Sequence, residues 1–405
     1  MSTPVDQLPE ITVTATRPYL NTVPALSAGR QPCGIVKVNG QALPGWVEWQ
    51  FDNNTNYQAD TFRVTFAGKA LPQDRNVAWL TDQGDITVEI LAGFPQNPNA
   101  PIDSELTSFI IGRCDDMLYD PIQNTIELAG RDFTSQFIDA KTTETFINQS
   151  VQSIVKTLAS RHQMRASVSD NIVPPATFSG NAFEAATTGR LTNQQSEWDL
   201  LTHLAQETQC SVYVTGQTLN FQPAADPTNS STYVIDWKQP TNTNGSPQAN
   251  VIDLRCSRNL TLTKDIIVEL ASWDRANSNS FLVTAKATQN KNRVTRNTTL
   301  PYGQPQIYSY QIPELTTQQA LVKAKAYLAQ ITSHEKHLEA HLPGDNILTA
   351  QTLVTVRGTG TSFDQVYFVE SVIRSMSMDE GYRMKLAAKN HSPQQQVTTQ
   401  VLVAA

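Results

Sequence analysis

Short runs in which apolar and polar side chains alternate recur through the first third of this 405-residue chain, and they constrain its fold more than any other feature. Thr61-Phe-Arg-Val-Thr-Phe66 and Asp85-Ile-Thr-Val-Glu-Ile90 alternate, and Trp46-Val-Glu-Trp-Gln-Phe51 reads the same way. Successive side chains of a strand point to opposite faces, so a period of two buries one face of a sheet and wets the other. Ile35-Val-Lys-Val38 runs into Asn39-Gly40, a dipeptide suited to the positive-φ positions of a hairpin turn. Phe109-Ile-Ile111 and Thr125-Ile-Glu-Leu128 follow, with no helical period between any of these runs. The pattern predicts a small antiparallel β-barrel or sandwich over residues 30–130. Residues 1–29, with four prolines and no sustained period, read as an extended arm.

The period changes after Gly130. Ser150 is placed to cap a helix whose apolar positions Val151, Ile154, Val155 and Leu158 fall on one face. A second helix is predicted near 194–208, with Trp198, Leu201, Leu204 and Ala205 together, followed by a hairpin through Thr215-Gly216. Residues 131–225 therefore read as an α/β insertion domain. After a linker rich in Pro, Asn and Ser, strand signals resume. Residues 226–391 read as a second β domain with inserted strands and a helix over 316–333, whose inward positions are Leu321, Ala324, Leu328 and Ile331. Residues 392–405 read as a C-terminal arm. The predicted class is mainly β (β+α): a barrel, an α/β insertion, then a second β domain interrupted by a helix.

Charge narrows the function. The chain carries 30 Lys+Arg against 37 Asp+Glu, a net charge of −7, and only 17% of its residues are charged. A general duplex-DNA binder needs a basic stripe to displace counterions, and none is present. No run of about 18 apolar residues offers a membrane span, so membrane insertion is not expected. The first thirty residues lack the basic start and apolar run of a secretory signal. The four cysteines are far apart and contain no CxxC pair, which fits reduced, packed thiols.

Few residues suggest chemistry. His337 and His341 have the spacing of a zinc pair on a helix, with His334 nearby. The alternation of His337-Leu-Glu-Ala-His-Leu342 instead puts His337, Glu339 and His341 on the polar face of a strand. Arg357-Gly-Thr-Gly-Thr361 lacks the lysine and following helix of a phosphate loop and reads as a turn. Asp115, Asp116 and Asp132 are candidate acid–base carboxylates, with a solvated turn and a strand-to-helix cap as the alternatives. No nucleophile signature accompanies them, so neither catalysis nor a cofactor is expected. Trp46, Trp49 and Trp198 read as core or interface anchors; by strand parity Trp46 and Trp49 lie on opposite faces, which would turn one toward a partner.

Three stretches, in order, resemble the baseplate hub proteins of contractile-tailed phages, the late control protein D group and the hub part of type VI secretion spike proteins. The first is Phe109-Ile-Ile-Gly-Arg-Cys-Asp-Asp116 running on to Asn124-Thr-Ile-Glu-Leu-Ala-Gly-Arg-Asp-Phe133 and Phe137-Ile-Asp139. The second is Ser196-Glu-Trp-Asp-Leu-Leu-Thr-His-Leu-Ala205 with its hairpin. The third is Val354 to Leu386, with Gly358, Gly360, Asp364, Tyr367-Phe-Val369, Val372 and Gly381-Tyr382. Arg374 stands where that family commonly has a histidine, and the N-terminal arm and the 288–312 stretch depart from it. The resemblance implies a homotrimeric ring in which each subunit supplies two tube-like antiparallel β-barrel domains with an α/β insertion domain, adapting a hexameric tail tube to a trimeric central spike around the DNA channel. It implies a tail tube protein, a spike protein and baseplate wedge or tape-measure proteins as partners. It also implies a place in the virion, in the tail baseplate, after assembly in the host cytoplasm. Competing readings are a tail-tip protein that degrades cell wall or binds carbohydrate, and the hub of a phage-like bacteriocin or secretion device.

Overall fold

The computed structural model describes residues 19–21, 31–142, 149–170, 196–259, 266–288, 306–331, 336–390 and 396–403, apart from short interruptions within them, together with Phe146 and Ile172. The chain is mainly β. Its first lobe is built from β1 (Cys33–Val38), β2 (Gln41–Ala42), β3 (Trp46–Asn54), β4 (Thr61–Ala67), the short helix α1 (Val77–Thr81), β5 (Thr87–Gly93), β6 (Thr107–Asp120) and β7 (Thr125–Asp132). The inward residues are those the alternation selects. Val36, Val38, Phe62, Val64, Phe66, Val88, Ile90, Ile126 and Leu128 form one core.

The insertion follows with α2 (Thr134–Asp139), α3 (Val151–Arg161), β8 (Arg165–Val168), α4 (Glu197–Thr208), β9 (Cys210–Thr215) and β10 (Thr218–Pro223). Ser150 caps α3, its hydroxyl accepting from the Ser153 N–H at 3.2 Å, and Val151, Ile154, Val155 and Leu158 are all buried as predicted. Ser196 and Asp199 bond each other's backbone N–H at the start of α4. Buried Glu197, in the first turn of α4, takes Arg161 at 3.0 Å and His162 at 2.6 Å from the C-terminal end of α3. An acid at one helix start and bases at another helix end complement both helix dipoles.

The second lobe comprises β11 (Thr232–Lys238), β12 (Gln248–Ala249), β13 (Asp253–Arg258), β17 (Lys336–Pro343), β18 (Leu353–Arg357), β19 (Val366–Ser377) and β20 (Gly381–Asn390). Between its strands lie β14 (Ile266–Asp274), β15 (Asn279–Thr288) and β16 (Gln306–Gln311), which form a separate four-stranded sheet with β21 (Gln396–Val403). Of the predicted 316–333 helix, residues 320, 323–324, 327–328 and 331 are described and helical. Ala320, Ala324 and Leu328 are buried beside Val268 and Leu270, with Ile331 packed against them, whereas Leu321 lies outside the described residues.

One expectation is corrected. The tail read as an arm contains β21, paired antiparallel with β15 from Gln396 to Val403. Its Val-Thr-Thr-Gln-Val-Leu-Val run, which follows Ser392-Pro393, has the β-branched composition of a strand. The described part of the N-terminal arm, residues 19–21, is bound to β11, and the rest lies outside the described residues.

The two lobes share one 14-stranded sheet, because β19 pairs with β3 from Ser371 to Ser377. A bulge between Val369 and Ser371 slips the phase of β19 by one residue. Odd positions Tyr367 and Val369 are buried before it, even positions Val372, Arg374 and Met376 after it. The β19–β20 hairpin thus feeds two cores. Tyr367, Val369, Val372, Met384, Leu386 and Ala388 belong to the second, while Met376 and Tyr382 belong to the first.

Candidate assembly site

Residues 53–60, the end of β3 and the connection to β4, touch all three units. Asn53 Oδ1 accepts the Ala350 N–H at 2.6 Å, and the Thr55 hydroxyl donates to the Glu370 carbonyl at 2.8 Å, both in the second lobe. Toward the insertion, the Tyr57 hydroxyl donates to the Cys210 carbonyl at 3.2 Å. Trp198 Nε1 donates to the Tyr57 carbonyl at 2.7 Å. Two carboxylates meet here, Asp132 buried and Asp60 half-buried. Asp60 accepts from the Asn54 N–H and the Asn53 amide, and its carbonyl takes the Asp132 N–H at 3.0 Å. Asp132 in turn accepts from the Thr134 N–H and hydroxyl, as a strand-to-helix cap. Burial, against those hydrogen bonds, pushes the Asp60 carboxyl up to about 7. Burial first and the neighbouring Asp60 second raise Asp132 further above the usual carboxylate range.

A second tie runs through Arg374. Its side chain is 1% exposed, its guanidinium stacks over Phe109 of the first lobe at 4.6 Å, and its donors go to the carbonyls of Asp345 and Leu348 in the second. Asp345 also holds the Tyr233 hydroxyl at 2.7 Å, and the Tyr382 hydroxyl reaches the Asp345 carbonyl at 2.9 Å. Asn346 crosses back to the Ala92 carbonyl at 2.9 Å. These ties fix the lobes and insertion as one body.

The tryptophans are not where parity put them. Trp49 is 1% exposed in the first core. A bulge between Trp46 and Glu48 returns Trp46 to the same face, opposite Phe66, and both rings lie against Gly34. Val47 is the residue extruded. Trp198 is buried in the insertion core. None of the three is a free anchor in this chain; Trp46 alone is partly exposed.

His337 and His341 lie on strand β17, with Glu339, on its polar face, and Glu370 approaches His337 at 3.8 Å. Among the described residues no three His, Cys, Asp or Glu side chains form a group that could hold a metal, and His334 lies outside them. Asp115 is held by Arg131 at 2.7 Å and 3.1 Å. Arg357–Thr361 is a turn closed by Asp364 on the N–H groups of Thr359 and Gly360. The four cysteines are free thiols.

Among the exposed apolar residues, Ile122 and Met378 sit in the β6–β7 and β19–β20 turns and Leu118 near the end of β6. Ile122 is 94% exposed, Met378 75% and Leu118 66%. Strand register puts the β6–β7 turn, the β19–β20 turn and the start of β3, with exposed Val47, at the same end of the first lobe. These exposed apolar side chains thus share one end of the first lobe.

No protein-family model matches the chain, and no curated protein matches it by sequence. Solved structures do match. A tail protein from Neisseria meningitidis MC58 aligns with a TM-score of 0.62 at 14% identity, covering 89% of this chain and 97% of that one. The 43 kDa tail protein of prophage MuSo2 from Shewanella oneidensis aligns with a TM-score of 0.58 at 14% identity, over 88% and 97%. The prophage tail protein gp18 from Listeria monocytogenes EGD-e aligns with a TM-score of 0.53 at 8% identity, over 88% and 95%. The whole architecture, both lobes and the insertion, is the fold of phage tail proteins.

Proposed function

We propose that this chain is a structural virion protein, the baseplate hub of a tail, with no catalytic role. The observation that carries the reading is the pair of β lobes, each with its own core, welded into one sheet by β3 and β19. Three copies of such a subunit present six similar lobes. A ring of that kind meets a hexameric tail tube on one side and a trimeric central spike on the other. Closed rings use heterologous head-to-tail contacts, which suits the apolar end formed by Ile122, Met378 and Leu118. Baseplate wedge or tape-measure proteins would bind the periphery. The ring is assembled in the host cytoplasm and carried in the virion. DNA passes its channel without specific binding, because a net charge of −7 repels a phosphate backbone.

Mass photometry, alone and with the cognate spike, tests the reading. The expected particle contains three copies of 44.7 kDa, and electron-microscopy class averages show a three-fold ring with an axial hole. A single-copy particle in the presence of spike, or a channel lined by Lys and Arg, would sink it.

A further inference from the structure

The outward edge of β11 is closed by substitutes for a strand. On its inner side β11 pairs parallel with β18 from Thr232 to Asp236. On its outer side β12 reaches only Trp237 and Lys238. The remaining outward groups are met in other ways. The Leu20 N–H donates to the Thr232 carbonyl at 3.0 Å. The Asn21 carboxamide brackets Val234, accepting its N–H at 2.7 Å and donating to its carbonyl at 2.8 Å. The Asn250 carboxamide accepts the Asp236 N–H at 2.9 Å and donates to the Val234 carbonyl at 2.8 Å. A carboxamide carries the donor and the acceptor of a peptide group on a side chain. These two asparagines therefore give β11 the hydrogen bonds of a neighbouring strand without extending the sheet. The short strap of residues 19–21 is pinned from below. Arg357, opposite Asp236 on β18, grips that carboxylate at 3.0 Å and 3.2 Å. It also donates to the Tyr19 hydroxyl at 3.0 Å and stacks over its ring at 4.7 Å.

We propose that Leu20, Asn21 and Asn250 are a plug that keeps β11 of one copy from pairing with β11 of a second copy. The plugged groups are self-complementary. Laid antiparallel on itself with Val234 opposite Val234, β11 gives its Val234 N–H to the second copy's Val234 carbonyl. Its Asp236 N–H goes to the second copy's Thr232 carbonyl, and the same two bonds come back. Those four groups are the ones that the strap and Asn250 occupy. One patch used by both copies is the form of a two-fold contact. Thr232-Tyr-Val-Ile-Asp-Trp-Lys238 is rich in β-branched and aromatic residues and contains neither proline nor glycine. A strand of that composition adds readily to another when its edge is bare. Tyr233 and Ile235 are fixed in the second core, so the edge is presented already extended. The inference stands apart from the hub reading, because a three-fold ring uses head-to-tail contacts whereas an unplugged β11 forms a two-fold pair.

The test compares the full native chain with Asn21→Ala and with Asn21→Ala/Asn250→Ala, by amide exchange and by sedimentation velocity over a concentration series. Both asparagines are only half-buried, and the amides of β7 and α3 serve as the folding control. In the dilute double variant the Val234 and Asp236 amides should exchange about tenfold faster or more than in the native chain. At high concentration a two-copy particle should form, and protection should return at both amides. Asn21→Ala alone should speed Val234, spare Asp236 and pair at a higher concentration, which keeps the test open should the double variant fail the folding control. Unchanged exchange at Val234 in either dilute variant would overturn the plug. Faster exchange with no two-copy particle at any concentration, or with one that leaves Val234 unprotected, would overturn the pairing.

Discussion

Arg374 brings a full charge into a space between two lobes and finds carbonyls and an aromatic face there. Two of its donors satisfy the Asp345 and Leu348 carbonyls while the ring of Phe109 lies under the guanidinium plane. A lysine would keep the charge but could not fork to two carbonyls or stack. Arg374→Lys should therefore destabilise by about 2 kcal/mol in urea denaturation, and Arg374→His, too short for either carbonyl, by more. A loss under about 0.5 kcal/mol for both would show that the lobes do not depend on this side chain. Asp60 makes a prediction of opposite sign with pH. Its folded carboxyl stands at about 7, raised by burial. An unfolded aspartate titrates near ~3.9, so the folded state loses stability as pH rises from about 4 to about 7, then levels off. Asp60→Asn removes that slope but loses an acceptor for the Asn53 amide. The variant should be weaker than the native chain at pH 5 and close to it or stronger at pH 8. A difference that does not change with pH would refute the buried-carboxyl account.

At the scale of elements, close backbone approach matters most where β6 crosses β7. A Cβ built on Gly130 would collide with the Arg113 carbonyl, and one on Gly112 with the Arg131 carbonyl, while the Phe62 ring covers both glycines. Gly130→Ala should cost about 3 kcal/mol or more in chemical denaturation and split the β6–β7 pair. Gly84→Ala, where nothing lies within 4 Å, is the control and should be neutral. These elements also show what local patterning conveys. Phe62, Val64 and Phe66, or Val151, Ile154 and Leu158, announce their faces because strand and helix periods are local. Trp46 does not, because the bulge after it inverts parity and only the register against β4 reveals the bulge. The phase slip at Glu370 is similar: Val369 and Val372 are both buried, at a spacing that fits neither regular face of a strand. The junction residues were illegible for a different reason. Thr55 and Glu370, or Asn53 and Ala350, are partners about three hundred positions apart, and nothing in either neighbourhood names the other.

At the scale of the whole molecule, the apolar end of the first lobe separates assembly from folding. Ile122→Asp with Met378→Asp replaces two side chains that touch little in the isolated chain. Thermal unfolding should stay within about 0.5 kcal/mol of the native protein, while association into higher species should fall sharply in mass photometry. Unaltered association would move the contact surface elsewhere on the molecule. The weld between β3 and β19 has a consequence in time. The Thr55 hydroxyl bonds a carbonyl 315 residues later in the chain, and Met376 and Tyr382 complete a core begun at Val36. At translation speeds of roughly 5–20 residues per second, the ribosome needs roughly 16–63 s to deliver that partner. For that interval the first lobe waits unfinished, with β3 as a bare edge open to any passing strand. The burden of this architecture falls during synthesis, on whatever shields a nascent half-built sheet until its last hairpin arrives.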